Sequence, residues 1–329
     1  MKTLFIFGNG FDINLGLKTD YQTYYDLLID KKEVQPTTKA LQNEIFQNRE
    51  NWADFEFALG EYTDKIKSES DFIGLYKDII TTLAEHLESE EKKLDNYTID
   101  VTKIKSQINN PISIIPNEEG RIKAEISTFR GTFNVNSNIN IITFNYTKSL
   151  EYIFGSRNNI ILNGQRKIDA IHHIHGDLIN RMILGVNDKT QIKSKEFKEN
   201  QNIVSRIIKN QVNQISGDLT FENCQSQISS SNLIILFGVS IGVTDKIWWE
   251  KIYNRLKSNK CKLLIFHYHN ELYDQRIPAE KLQIQEEVKK RIMSDNKEKQ
   301  ETIELVRNNI YVIVNGPFLQ NIYKKNNNE

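Results

Sequence analysis

The sequence predicts an α/β fold, with a parallel sheet flanked by helices and a large helical insertion. Three observations carry this expectation. Apolar runs of strand length recur at 4–7, 139–144, 233–237, 262–267 and 310–314, each ending in a polar or glycine-containing turn. Segments of helical spacing separate them, and that alternation suits a parallel sheet, whose strands need long crossovers. Residues from about 38 to 110 show helical spacing, and the span from about 31 to 135 reads as a helical insertion between the first two strands.

The 329 residues are enough for one α/β core carrying insertions. Lys+Arg 43 and Asp+Glu 43 cancel, so no global field draws the chain to nucleic acid or anionic lipid. The two cysteines, Cys224 and Cys261, lie far apart; they exclude a four-cysteine zinc site and fit a reducing compartment. The apolar run after Lys2 breaks at Gly8, too early for a signal peptide or a membrane span, and no later run reaches spanning length. The expectation is a soluble, cytoplasmic protein.

The first strand leads into Gly8-Asn9-Gly10-Phe11-Asp12, closed by Gly16-Leu17. Gly8 and Gly10 permit a tight turn and a close main-chain approach, and the next helix points its positive end into the same space. That arrangement delivers N–H groups to a phosphate; it equally fits a plain strand-to-helix turn. Thr19 and Gln22 form a capping-box pattern for a helix reaching about residue 30. A dinucleotide dehydrogenase would next need a strand ending in an acidic residue. Instead 31–39 is charged and turn-like, which argues against hydride transfer.

Leu41, Ile45, Trp52, Phe55 and Leu59 then keep helical spacing, as do Phe72, Leu75, Ile79, Leu83 and Leu87. Trp52 and Glu56 read either as a core tryptophan with a solvent-facing carboxylate or as a pair at a cleft mouth. Pro111 and Pro116 flank a loop before a helix over 118–133. The second core strand, 139–144, ends in Phe144-Asn145-Tyr146-Thr147, with a helix from about 148 to 154. Short strands at 160–162 and 170–175 follow, the second ending in His172-His173-Ile174-His175-Gly176-Asp177, and 182–185 is a further short apolar run. Residues 186 to about 230 are polar, helical in part, and form a second, smaller insertion. The core resumes at 233–237, turns at Gly238-Val239-Ser240, and continues through Asp245, the N-cap of a helix bearing Trp248 and Trp249. The strands at 262–267 and 310–314 flank a charged helical region, and the tail from 324 frays.

Strands thus end at Gly8, Asn145, His175 and Gly238. Ligands of open α/β sheets sit at the carboxyl ends of strands, so these turns are expected to share one cleft. His175 suits a general base, or a hydrogen-bonded structural role. A metal reading of His172, His173, His175 and Asp177 is weaker, because on a strand His172 points away from the other two. The Asn145 amide both accepts and donates, which suits a sugar hydroxyl and a water, or a helix cap. Gly238 and Ser240 offer an N–H and a hydroxyl to a phosphate or ribose. Trp248 and Trp249 read as packing.

Taken in order, these blocks resemble the AbiH family of bacterial phage abortive-infection proteins. The resemblance rests on Gly8–Asp12 with Gly16-Leu17 and Thr19-Asp20-Tyr21, on Trp52 with Glu56, and on Phe144-Asn145-Tyr146-Thr147. It continues through Ile174-His175-Gly176 and Phe237–Gly242 with Asp245. More distantly, the chain is similar to the sirtuin-like, Rossmann-like NAD-binding fold: Gly8, Gly10, Gly16 and Leu17 reproduce its glycine spacing. Thr143-Phe144-Asn145 is similar to its threonine–glutamine–asparagine block, His175-Gly176 to its catalytic pair, and Gly238-Val239-Ser240-Ile241 to its glycine–threonine–serine–leucine turn. Asn9 stands in place of its alanine, Asp12 in place of its serine, and its zinc cysteines are absent.

The resemblance implies an anti-phage effector that hydrolyses NAD to nicotinamide and ADP-ribose. Asn145 and His175 would be catalytic, with Gly8, Asn9, Gly10, Phe11, Asp12, Gly238 and Ser240 around the nucleotide. It further implies no metal, a phage component as trigger, and room for a homo-oligomer. The competing expectation is a non-catalytic nucleotide-binding sensor or scaffold in phage defence.

Overall fold

Thr3–Phe7 (β1) is buried along its whole length and lies at the middle of a seven-stranded sheet in the computed structural model. The structure describes residues 1–133, 138–163, 166–217, 219–271, 273–274, 276–293 and 298–326. The expected end of the first insertion, near 135, and the last three residues of the tail lie outside the described residues. The other strands of the sheet are Ile139–Thr143 (β2), Asn158–Asn163 (β3), Arg166–His173 (β4), Leu233–Phe237 (β5), Lys262–His267 (β6) and Ile310–Val314 (β7). Isoleucine, leucine and phenylalanine dominate them, as suits a sheet covered on both faces.

The strand order is β7-β6-β5-β1-β2-β4-β3. β1 pairs in parallel with both β2 and β5. The chain therefore builds outward on one side of β1, then returns to build on the other, which makes the carboxyl end of β1 a topological switch point. The expected parallel sheet fails only at its edge, where β3 runs antiparallel to β4. Two residues separate those strands, too few for a crossover helix.

β1 alternates its side chains between two layers. Phe5 and Phe7 pack with Ile104, Ile108 and Ile126 on one face; Leu4 and Ile6 pack with Ile252, Tyr253 and Val288 on the other. A third cluster joins the two insertions. Phe55 and Phe72 of the first share one core with Phe197 and Ile207 of the second and with Tyr24 and Tyr25 of the helix before it, and the Phe72 and Phe197 rings meet at 5.8 Å. Each such buried side chain contributes about 1.5–3 kcal/mol, so the two polar-looking segments hold each other in place. Their helices include Phe55–Tyr62, Glu69–Glu91 and Lys209–Ser216, and Tyr21–Asp30 precedes them.

Several local expectations change. Asp20, not Thr19, caps Tyr21–Asp30, its Oδ1 accepting from the Thr23 N–H at 2.9 Å. The turn-like stretch ends early, because Pro36 opens the helix Pro36–Gln47 at a position where proline is favoured. The tail does not fray from 324: Tyr323–Lys325 pairs with Tyr97–Ile99, and the Tyr97 and Tyr323 rings stack at 5.1 Å. Gly16 serves this strand pair. Its φ is +80°, and a Cβ there would fall 2.2 Å from the Tyr323 hydroxyl. No described helix is long and apolar enough to cross a membrane.

Candidate active site

The turns after β1, β2, β4 and β5 meet at the switch point, around a cleft of about 460 Å³. Gly8, Asn9, Gly10, Asp12, Asn145, His175, Gly238 and Ser240 all line it. Phe11 does not; its ring is fully buried and packs on Phe7 at 5.0 Å. The expected convergence of four strand ends is therefore found, with one residue removed from the site.

The glycines play a different part from the one their spacing suggests. The Gly8 N–H donates to the Phe237 carbonyl at 3.0 Å, the Gly10 N–H to Gly238 O at 2.9 Å, and the Phe11 N–H to Gly8 O at 2.9 Å. These donors are spent inside the protein. What requires glycine is the contact between the two turns: a Cβ on Gly8 would lie 2.5 Å from Gly238 O, and one on Gly238 would lie 2.6 Å from Gly10 C. Gly238 also sits at φ +67°. Asn9 locks the far side of the turn, its amide donating to Thr19 O at 3.1 Å while its Oδ1 accepts the Thr19 hydroxyl.

Asn145 follows β2 and is held by its main chain. Its N–H donates to the Thr143 hydroxyl at 3.1 Å, and its carbonyl meets His173 Nδ1 at 2.9 Å. The other His173 nitrogen lies 2.8 Å from Glu151 Oε1. His173 is thus a structural brace for Asn145. His172 lies in a second pocket with Asp177, and β4 ends at His173, so the histidines do not share a strand face as expected. Among the described residues no three His, Cys, Asp or Glu side chains are grouped to hold a metal ion.

His175 lies just beyond β4, boxed edge-to-face by Phe144 at 5.1 Å, and Phe144 in turn stacks on Trp249 at 5.5 Å. Trp249, read as packing, therefore both packs and lines the cleft. Gly176 is obligatory beside the histidine: its φ is +77° and a Cβ would collide with Arg181 O. The His175 Nε2 is 2.9 Å from Asp245 Oδ1, but the contact is not aligned as a hydrogen bond.

Asp245 occupies the N-cap position of Lys246–Leu256 yet makes no cap bond with its side chain. It faces Lys209 instead, whose Nζ sits 2.9 Å from Asp245 Oδ1 and 2.8 Å from Glu56 Oε2. Burial alone would raise the Asp245 pKa, but Lys209 and then His175 hold the carboxyl well below the usual range. Burial raises Glu56 despite Lys209. Glu56 also accepts from the Gly185 N–H and the Thr244 hydroxyl. Of the pair read together in the sequence, Glu56 lines the cleft, whereas Trp52 is a core residue.

Lys209 escaped sequence reasoning altogether. It is one of several lysines in a polar insertion, and only the shared core of the two insertions reveals that it is buried. The cleft rim formed by His267, Tyr268 and Arg291 also carried no motif.

Asp12 is 1 % exposed. Its Oδ2 accepts the Thr147 hydroxyl at 2.5 Å, and burial pushes its pKa up to about 6 against the opposing effect of Thr147, Ser149 and Asn145. Three buried atoms from this one cleft make no aligned hydrogen bond: Asp12 Oδ1, Asn145 Oδ1 and His175 Nε2, the last of which contacts the Asp245 carboxylate. Buried polar atoms are normally paired, so three such atoms at one switch point are suited to receive a polar ligand.

No curated protein matches the chain. The family model described as "Bacteriophage abortive infection AbiH" matches residues 4–267, a span that runs from β1 to the end of β6 and contains every cleft residue but Tyr268 and Arg291. The chain belongs to the AbiH family of bacteriophage abortive-infection proteins.

Proposed function

We propose that the protein acts in abortive infection by hydrolysing NAD to nicotinamide and ADP-ribose. The observation that carries this reading is the trio of buried polar atoms without an aligned hydrogen bond, on Asp12, Asn145 and His175, in a single cleft at the switch point of the sheet. Cleft volume falls within the range of small-molecule sites. Its interior carries Asp12, Glu56 and Asp245, which suits the cationic nicotinamide ribose, while Ser240 and Arg291 at the rim suit the pyrophosphate. The Gly8–Phe11 turn gives this site its shape rather than its phosphate donors.

In NAD the ring nitrogen bonded to ribose is cationic, so nicotinamide leaves as a neutral molecule with the bonding electron pair. The sugar then passes through an oxocarbenium-like state, as in glycoside hydrolysis. Asn145 Oδ1 orients one water, which adds to the ribose carbon, and the His175 imidazole takes its proton. Asp245, kept ionised by Lys209, stabilises the imidazolium so formed. Positioned proton transfer of this kind supplies about a hundredfold to ten-thousandfold.

The test is purified protein incubated with NAD and assayed for nicotinamide and ADP-ribose, alongside Asn145→Ala and His175→Ala. Turnover that both substitutions leave intact contradicts the reading. A non-catalytic nucleotide sensor is the second reading; nucleotide binding without product identifies it.

A further inference from the structure

We propose that Asp12 is a catalytic residue as well, its ionised carboxylate facing the cationic sugar as the bond to nicotinamide breaks. This rests on the NAD-hydrolysis reading and adds to it the group that meets the developing charge.

The carboxyl is placed for that task and costly for any other. It lines the same cleft as Asn145 and His175, and Oδ2 is anchored by Thr147, whose own hydroxyl is held by Ser149 at 3.2 Å. Oδ1 has no partner. A carboxylate oxygen buried without a donor destabilises the empty site, and a positive ligand is what it lacks. Lys209, the buried cation nearby, is committed to Glu56 and Asp245 on the other wall. The two acids therefore divide the work: Asp245 serves the histidine, and Asp12 serves the sugar.

In the step itself the bond from the ribose carbon to the nicotinamide nitrogen breaks, and its electron pair goes to the ring. Positive charge shifts to the ribose carbon and ring oxygen, where the Asp12 carboxylate opposes it. Water then bonds to that carbon and loses its proton to His175. Asp12 gains and loses no proton, and no further reactant is needed.

Asp12→Asn keeps the shape and removes the charge; Thr147→Val breaks the same hydrogen bond and keeps the charge. Kinetic constants for NAD and thermal midpoints at pH 7.5 are measured for both against the wild type. The expected result for Asp12→Asn is a kcat lower by about a hundredfold or more, the scale for removing one group that stabilises transition-state charge, with KM little changed. Its melting midpoint should equal or exceed that of the wild type, while Thr147→Val should lose no more than about tenfold in kcat. An Asp12→Asn protein that turns over at the wild-type rate, that melts earlier, or whose loss Thr147→Val equals would overturn the proposal and leave NAD hydrolysis standing. Wild-type protein that releases no nicotinamide would overturn both.

Discussion

Replacing Asp12 with asparagine should stabilise the folded protein at neutral pH, and the gain should grow with pH. In the fold the carboxyl titrates at about 6, against 3.8 for an ordinary aspartate, because burial disfavours the anion. Glu91 pushes in the same direction, whereas Thr147, Ser149 and Asn145 oppose it. The folded state therefore binds more protons than the unfolded chain between pH 4 and 6. Stability from this group is greatest below about pH 4, falls as pH rises towards 6, and stays reduced above that. A displacement of roughly two units, at about 1.36 kcal/mol per unit, corresponds to a cost on the order of 3 kcal/mol at pH 7.5. Asparagine carries no such cost, although its own amide needs a partner, so the net gain should be smaller. Urea unfolding of both proteins at pH 5, 6 and 7.5 measures it through the shift in midpoint at constant slope. A difference that does not change with pH, or a wild type that is the more stable at pH 7.5, would refute this reasoning.

Other parts of the site give equally direct expectations. Asn145→Ala and His175→Ala should each lower NAD turnover by about a hundredfold or more while circular dichroism remains unchanged. Lys209→Met leaves Glu56 and Asp245 buried without their shared cation; it should cost about 3–5 kcal/mol in urea unfolding, and adding Glu56→Gln should recover part of the loss. Gly238→Ala forces a Cβ against the Gly10 main chain at φ +67° and should lower the melting midpoint; a midpoint unchanged from the wild type would contradict the proposed contact between the two turns.

Much of the core was legible because its signals are local. The apolar runs at β1, β5, β6 and β7 are bounded by glycine or polar turns, and the helix bearing Trp248 and Trp249 begins where Asp245 suggests. The cleft residues were legible for a related reason: a parallel sheet brings strand ends together wherever the strands lie in sequence. What escaped depends on contacts between distant segments. Lys209 looks like a solvated lysine until Phe197 and Ile207 are seen packed into the first insertion's core. Tyr323–Lys325 looks like a tail until its partner, Tyr97–Ile99, is known. Gly8 and Gly10 were read correctly as close-approach positions, but toward a phosphate rather than toward Gly238. Spacing reveals that something must come close; it does not reveal what.

The central claim is that this cleft consumes NAD during phage defence. Its most direct test follows NAD and ADP-ribose in phage-challenged cells that carry the wild-type protein or Asn145→Ala. The account predicts that NAD falls and ADP-ribose rises after infection with the wild type only. Protected cells in which NAD holds steady, or equal depletion with both proteins, would contradict it.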